Sequence, residues 1–310
     1  MKVLPTRAQR SGEGSRSCGQ RRVERRFRME IAGYSYTFDR MLLEGALHTV
    51  DTIRYHGELG VTANELSDKY IEDAELSGIE TALAEVDGTV PAYDITCDFT
   101  AGDGSAPPDQ IARVERAVDR AARLRASAVV LVPGAIGDAD PAIVRRHYAA
   151  ILAHCGDRAI ARGMRTMLAN LGNQAAYCGT TAHIAEIRAI AGADIQAIYD
   201  VGNYLMAGED TLTALGQVAP IVGHVHFKDW RIVAGDSAEA GTAFRGQDGR
   251  LFLSVALGDG SVPLAHALAA LRRHGYDGTI TVEYEGPDDP FAATRRSVRH
   301  LRSLLGWTPL

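Results

Sequence analysis

Four residues able to bind metal sit at the ends of short apolar runs in the C-terminal half of the chain. They are Asp200 closing "QAIYD", His224 and His226 in "GHVHFKD", and Glu283 in "TVEYE". Carboxylates and imidazoles are the natural ligands of a hard or borderline divalent cation such as Mn, Mg, Co or Zn. Strand side chains alternate, so His224 and His226 share a face while Phe227 points the other way. Taken singly, each has an ordinary role. Asp200 can cap the next turn, a strand histidine is often a satisfied core residue, and Glu283 can pair with an arginine. Their joint placement favours a metal site, because buried carboxylates and imidazoles that converge need a partner.

Such convergence requires the four runs to end on one rim. From Met29 onward the sequence alternates short apolar runs with amphipathic helical patterns, the signature of repeated βα units and a parallel sheet. The expected strands are "MEIAGYSY", "VTANEL", "AYDITCDF", "AVVLVPG", "GMRTMLANLGN", "QAIYD", "GHVHF" and "TITVEYE". Between them, Ile111, Val114, Val118, Ala121 and Leu124 recur at helical spacing. Asp140 followed by Pro141 reads as a helix start, Gly275 as a left-handed helix end, and "FAATRRSVRHLRSLL" as a last amphipathic helix. Eight units in about 280 residues predict a single-domain (β/α)8 TIM barrel over 29–310, with an open doubly wound sheet as the alternative. The segment 233–252, "VAGDSAEAGTAFRGQDGRLF", is expected as a long loop on the active face, with a mobile surface loop as the plainer reading.

Composition narrows the partners. Apolar content of 46% with 23% charged residues is that of a chain able to bury a large core. The net charge of −6 conceals nine Lys/Arg against two Glu in residues 1–28, which leaves −13 on the remainder. An acidic body argues against nucleic-acid binding. The basic segment 1–28 lacks an apolar stretch of the secretory kind and is expected to be a disordered extension. Cys18, Cys97, Cys155 and Cys178 form no paired motif, so neither a disulfide framework nor a thiolate metal site is expected, and a cytoplasmic setting is the default. No apolar run approaches a membrane span.

The runs "YDVGNYLMAGED", "GHVHFKD", "LGDGSVPL" and "GYDGTITVEYEG", in that order, resemble the xylose-isomerase-like TIM barrels, a group of sugar phosphate isomerases and epimerases. The resemblance extends over about residues 29 to 305. It implies one divalent ion held by Glu, Asp, His and Glu from strands 5 to 8, and Asp200, His226 and Glu283 match three of these positions. His224 would lie one layer deeper, and Lys228 and Asp229 would contact substrate or pin the following loop. Asn203 stands where several ketose epimerases carry a substrate-binding histidine. On strand 5 the usual Glu-Asn reads Ala169-Asn170, so the fourth ligand and second proton-transfer group is absent. A homo-oligomer is a further expectation of the resemblance.

Three further polar residues fall near the expected mouth. Glu65 and Asp98 are candidates for hydrogen bonds to sugar hydroxyls and Arg245 for an anionic substituent, while Tyr34 and Tyr36 are candidates to line it. The expected activity is metal-dependent isomerisation or epimerisation of a keto sugar or polyol, with Glu283 as base and ligand. Ala169 leaves room for an inactivated variant, for a divergent enzyme with three protein ligands, and for a non-catalytic sugar-binding barrel. A lyase, either a dehydratase or an enzyme eliminating from an oxidised sugar or glycoside, is the second enzyme class. It starts from the same proton abstraction but needs no second symmetric base. A multi-metal endonuclease on this barrel would require more ligands and a basic groove.

Overall fold

The computed structural model describes residues 29–98 and 109–308, so the expected basic extension at 1–28 lies outside the described residues. Seven parallel strands follow in the expected order: β1 (Glu30–Tyr34), β2 (Ala63–Ser67), β3 (Tyr93–Cys97), β4 (Ala128–Pro133), β5 (Arg165–Leu168), β6 (Gln196–Asp200) and β7 (Val222–Phe227). The chain then makes β8 (Asp229–Val233), β9 (Phe244–Arg245) and β10 (Leu251–Val255) before returning to the barrel with β11 (Thr279–Val282). The closed order β1-β11-β7-β6-β5-β4-β3-β2 is the eight-stranded barrel expected from the alternating pattern, and the open sheet is excluded.

The helices start and stop where local chemistry dictates. Asp140 accepts from the backbone amides of Ala142 and Ile143 at 2.7 and 3.2 Å, with Pro141 at the first position of helix Pro141–Ile160. Gly275, at φ +80°, follows helix Leu264–Arg273 in the left-handed conformation that favours glycine. Helix Gln110–Arg123 buries Val114, Val118 and Ala121 against the barrel wall, whereas Ile111 is only partly covered. The last helix, Pro290–Leu305, packs against β1 and β11 at the side of the barrel. Among the described residues no helix is long and apolar enough to cross a membrane, and Cys97, Cys155 and Cys178 are unpaired, buried thiols.

The barrel interior is divided. Ala92, Ala128, Val130, Met167, Ala169 and Ile198, from β3 to β6 and their ends, form one apolar cluster with Val132 packed against it. The opposite side carries Glu65, His224, His226, Thr281 and Glu283, all buried, from β2, β7 and β11. Strand periodicity produces both sets, since each pair two residues apart points inward.

The segment expected as a long loop is mostly turns, over 234–243 and 246–250, but its ends and Phe244–Arg245 join a small sheet. β10 pairs antiparallel with β8, from Leu251 opposite Val233 to Val255 opposite Asp229, and with β9 through Phe244 and Arg245. The signal was present in the sequence: Asp248-Gly249 between apolar runs is a hairpin turn pattern, and Gly249 adopts φ +83°. Gln247 donates its amide to the Met206 carbonyl at 2.9 Å, tying the hairpin to helix Val201–Met206 beside the barrel mouth.

Candidate metal centre and substrate cavity

Asp200, His226 and Glu283 are brought together by register. Asp200 pairs with His226 across β6 and β7, and the Glu283 amide donates to the Phe227 carbonyl at 3.0 Å, which sets Glu283 beside His226 at the C-terminal rim. One ligand atom from each of the three lies within 4.8 Å of the others. The Asp200 side chain both caps and faces inward: Oδ1 accepts from the amides of Gly202 and Asn203 at 2.8 and 3.0 Å, and Oδ2 is buried without a hydrogen-bond partner. A buried carboxylate oxygen left in that state beside an imidazole and a second carboxylate is the donor set a divalent cation requires. The three residues therefore fit a metal, with fewer protein ligands than the four the resemblance implies.

A second group, Glu65, His224 and His226, lies below the first. His224 Nε2 meets Glu65 Oε2 at 2.9 Å and Thr281 Oγ1 at 2.8 Å, while His226 Nε2 meets Glu65 Oε1 at 2.9 Å and its Nδ1 meets Glu283 Oε2 at 2.8 Å. His224 thus sits one layer deeper than His226 and does not line the cavity, and neither does Glu65. Glu65 was a candidate for sugar hydroxyls, but it falls in mid-strand, where its inward side chain is sealed beneath the rim. It holds both imidazoles instead.

These contacts set the protonation pattern. Burial alone would lower His226, but Glu65 and Glu283 on its two ring nitrogens hold it well above the ordinary imidazole range. Burial would raise Glu283, yet Lys228 and His226 keep it below the usual carboxylate value, so it stays ionised. Asp200 is raised to about 6 by burial, with Glu283 adding to it and Lys228 opposing. Lys228, 2% exposed, is kept charged against the effect of burial by Glu283, Glu285 and Asp200. Its ammonium contacts Glu283, reaches Glu285 Oε1 at 2.7 Å and stands 3.7 Å from Asp200 Oδ2.

Above this cluster opens a cavity of about 320 Å3 lined by Asp200, Asn203, His226, Lys228, Glu283 and Ala169, among others. Asn203 donates through Nδ2 to the Asn170 carbonyl at 3.0 Å. Tyr34 and Tyr36 both line the cavity, with ring centroids 5.6 Å apart. Three other candidates lie elsewhere. Asp229 is buried outside the cavity, and its carboxylate accepts from the amides of Gly258, Gly260 and Val262 at 2.9, 3.0 and 3.0 Å, pinning the loop after β10. Asp98 is exposed and lies one residue past the end of β3, in a separate surface hollow. Arg245 is exposed on β9 and donates to the Gly249 carbonyl at 3.0 Å, facing a neighbouring cavity.

Sequence reasoning missed Asp94 and Glu285. Asp94, in the middle of β3, lines the cavity and accepts a hydrogen bond from the Tyr34 hydroxyl. Burial and the nearby Glu65 push its carboxyl well above the usual range. The alternation within "AYDITCDF" was the available signal, because Asp94 and Asp98 share one parity and only the first is within the strand.

The sequence profile described as "xylose isomerase-like TIM barrel" matches residues 53–304. The inosose dehydratase of Lacticaseibacillus casei is 30% identical over 145 residues, which are 46% of this chain and 47% of that protein. The chain therefore spans about half the length of this relative. Among solved structures, the IOLI protein with a bound zinc atom superposes with a TM-score of 0.70 at 16% identity, covering 90% of this chain and 98% of that one. The probable 3-DHS dehydratase AsbF from Bacillus anthracis gives 0.66 at 16% identity, covering 88% and 98%. At such identities the two structures establish the fold and no more.

Proposed function

Because the chain belongs to the xylose isomerase-like TIM barrel family, we propose that it is a divalent-metal-dependent lyase that removes water or another β leaving group from a keto sugar or keto polyol. The observation that carries this reading is Ala169. It lines the cavity three strands around the barrel from Glu283, at the position where the resemblance to the epimerases implies the second carboxylate. Of the two glutamates in that mechanism only Glu283 remains, and elimination needs only one base at the carbon next to the carbonyl. The epimerase reading that the motifs first suggest requires proton return from the opposite side, and Ala169 has no group to supply it. The relatives called inosose dehydratase support the same choice.

In this reading Asp200, His226 and Glu283 hold the ion, which supplies Lewis-acid polarisation of the substrate carbonyl. Glu283, ionised and buried, takes the proton from the carbon α to that carbonyl. The Lys228 ammonium keeps a fixed positive charge beside the oxygen on which negative charge develops, in a site with little water to screen it. Glu65 acts through His226, holding its ring orientation from below as an outer partner of a metal-ligating histidine does.

The test is incubation of the protein with an inosose in D2O in the presence of Mn, Mg, Co or Zn, with proton NMR and ultraviolet absorbance followed together. The expected result is a conjugated enone formed with loss of water, slowed roughly 100- to 10,000-fold in Glu283→Gln. Formation of a deuterium-labelled isomer or epimer of the substrate without an elimination product would instead establish an isomerase.

A further inference from the structure

We propose that the N-terminal end of the barrel, opposite the metal centre, holds a second ligand site, which takes a small oxyanion, a phosphate or a carboxylate, on the Arg165 guanidinium. A hollow of about 280 Å3 opens there, lined by Arg165, Gln196, Gly223, His274, Tyr276 and Asp277 among others. None of these residues lines the cavity at the other end. The site is therefore independent of the elimination chemistry.

Strand geometry brings the guanidinium there. Arg165 opens β5 and shares its parity with Met167 and Ala169, which belong to the interior cluster, so its side chain starts on the inner face at the bottom of the barrel. Nη1 then donates to Gln196 Oε1 on β6 and to the Gly223 carbonyl on β7, both at 3.2 Å. Gly223 is the residue left over where the β6 and β7 register slips, with Ala197 opposite Val222 and Ile198 opposite His224. A bulge of this kind leaves its residue unpaired in the ladder, which frees the carbonyl for Arg165. A Cβ at Gly223 would stand 2.4 Å from Gln196 Oε1, so a larger residue would push that acceptor aside.

Both acceptors are uncharged. Among the described residues no carboxylate lies within ion-pair distance of Arg165, and its Nε and Nη2 have no hydrogen-bond partner. A merely solvated arginine would carry its head out into water. This one is drawn across the barrel end onto neutral partners, with its charge uncompensated and the rest of its donor fork unused, yet it stays exposed enough for a ligand to reach. A planar fork of that kind matches the paired oxygens of a carboxylate or phosphate. His274, in the turn after helix Leu264–Arg273, adds a second basic group, and Tyr276, its hydroxyl donating to the Thr279 carbonyl at 2.6 Å, forms a fixed wall. Asp277 also lines the hollow, so a polyanion is repelled and one small anion suits it.

The experiment titrates inorganic phosphate and, separately, malonate into the full chain by calorimetry, at an ionic strength held constant with sodium chloride. The tighter of the two is expected to saturate one site with a Kd of about 1 mM, the strength of a pair of charge-assisted hydrogen bonds, and it identifies the ligand as a phosphate or a carboxylate. Arg165→Met should weaken that binding about tenfold or more, and Arg165→Lys, which keeps the charge without the fork, by less. Gln196→Glu sets a carboxylate beside the guanidinium at almost unchanged size and should also weaken binding about tenfold. That variant decides the question if removal of Arg165 unfolds the chain. Absence of saturable binding by either anion, or affinities unmoved by Arg165→Met and Gln196→Glu, would overturn the proposal. Anions held by Lys228 at the mouth would give the second of these results.

Discussion

Ala169 is one of two alanines in the cavity wall and the more consequential one, because a larger residue there changes how many protein groups can grip a cation. Asp200, His226 and Glu283 are enough for a three-ligand site with open positions, and a carboxylate at 169 would complete the four-ligand set of the resemblance. Ala169→Glu is therefore expected to hold one equivalent of metal through dialysis against a chelator that strips the unaltered chain, measured by elemental analysis. Unchanged metal retention would mean that position 169 does not face the ion. The same substitution takes up space in the mouth, so it should weaken any ligand bound there. Lys228 and Glu285 extend the cluster toward solvent, and Asp94 with Tyr34 closes it on the far side.

At the scale of elements, the site depends on how tightly helix Val201–Met206 and β8 are clamped to each other. A methyl group on Gly202 would stand 2.6 Å from Trp230 Nε1 and 3.0 Å from the Lys228 carbonyl, so only glycine permits this approach. Gly202 also donates to Asp200, which makes the clamp and the candidate ligand one structure. Gly202→Ala is expected to destabilise the fold by about 1 to 3 kcal/mol in urea unfolding, the usual range for overpacking, and to weaken metal binding with it. A variant as stable as the parent would show that β8 can shift without loss. Asp229 performs the matching task on the outer side by collecting the amides of the 258–262 loop.

For the molecule as a whole, one buried group outside the cavity makes stability depend on pH. His56 is buried, its Nδ1 2.8 Å from Asn64 Oδ1 and its Nε2 without a partner, and burial pushes it down to about 4. In the unfolded chain it titrates near ~6.5. The folded protein thus binds fewer protons between these values. Its stability contribution is complete above pH ~6.5 and is lost as pH falls toward about 4. Between pH 7 and pH 4.5 the loss should be about 2 kcal/mol greater for the unaltered chain than for His56→Gln, measured by urea unfolding at each pH. Identical losses would show that His56 becomes protonated in the folded state.

The amino-acid sequence alone carried the eight strands, their parallel order and the rim on which Asp200, His226 and Glu283 stand, because two-residue and helical periodicities are local and the strand ends follow from them. The vacancy at Ala169 was legible only through the resemblance, as a departure from the Glu-Asn usual on strand 5. Alternation says that a side chain points inward but not how far below the rim it lies or what stands across the barrel. For that reason Glu65 stood only as a candidate sugar contact and Asp94 was passed over, and Asp229 could be placed only as a choice between substrate and loop. The hairpin of β9 and β10 was masked by its small and polar residues, and it takes its place from β8 and Met206, contacts distant in sequence. Depth and the division of the barrel into a polar and an apolar half arise from pairing between distant strands. Only the closed barrel decides them.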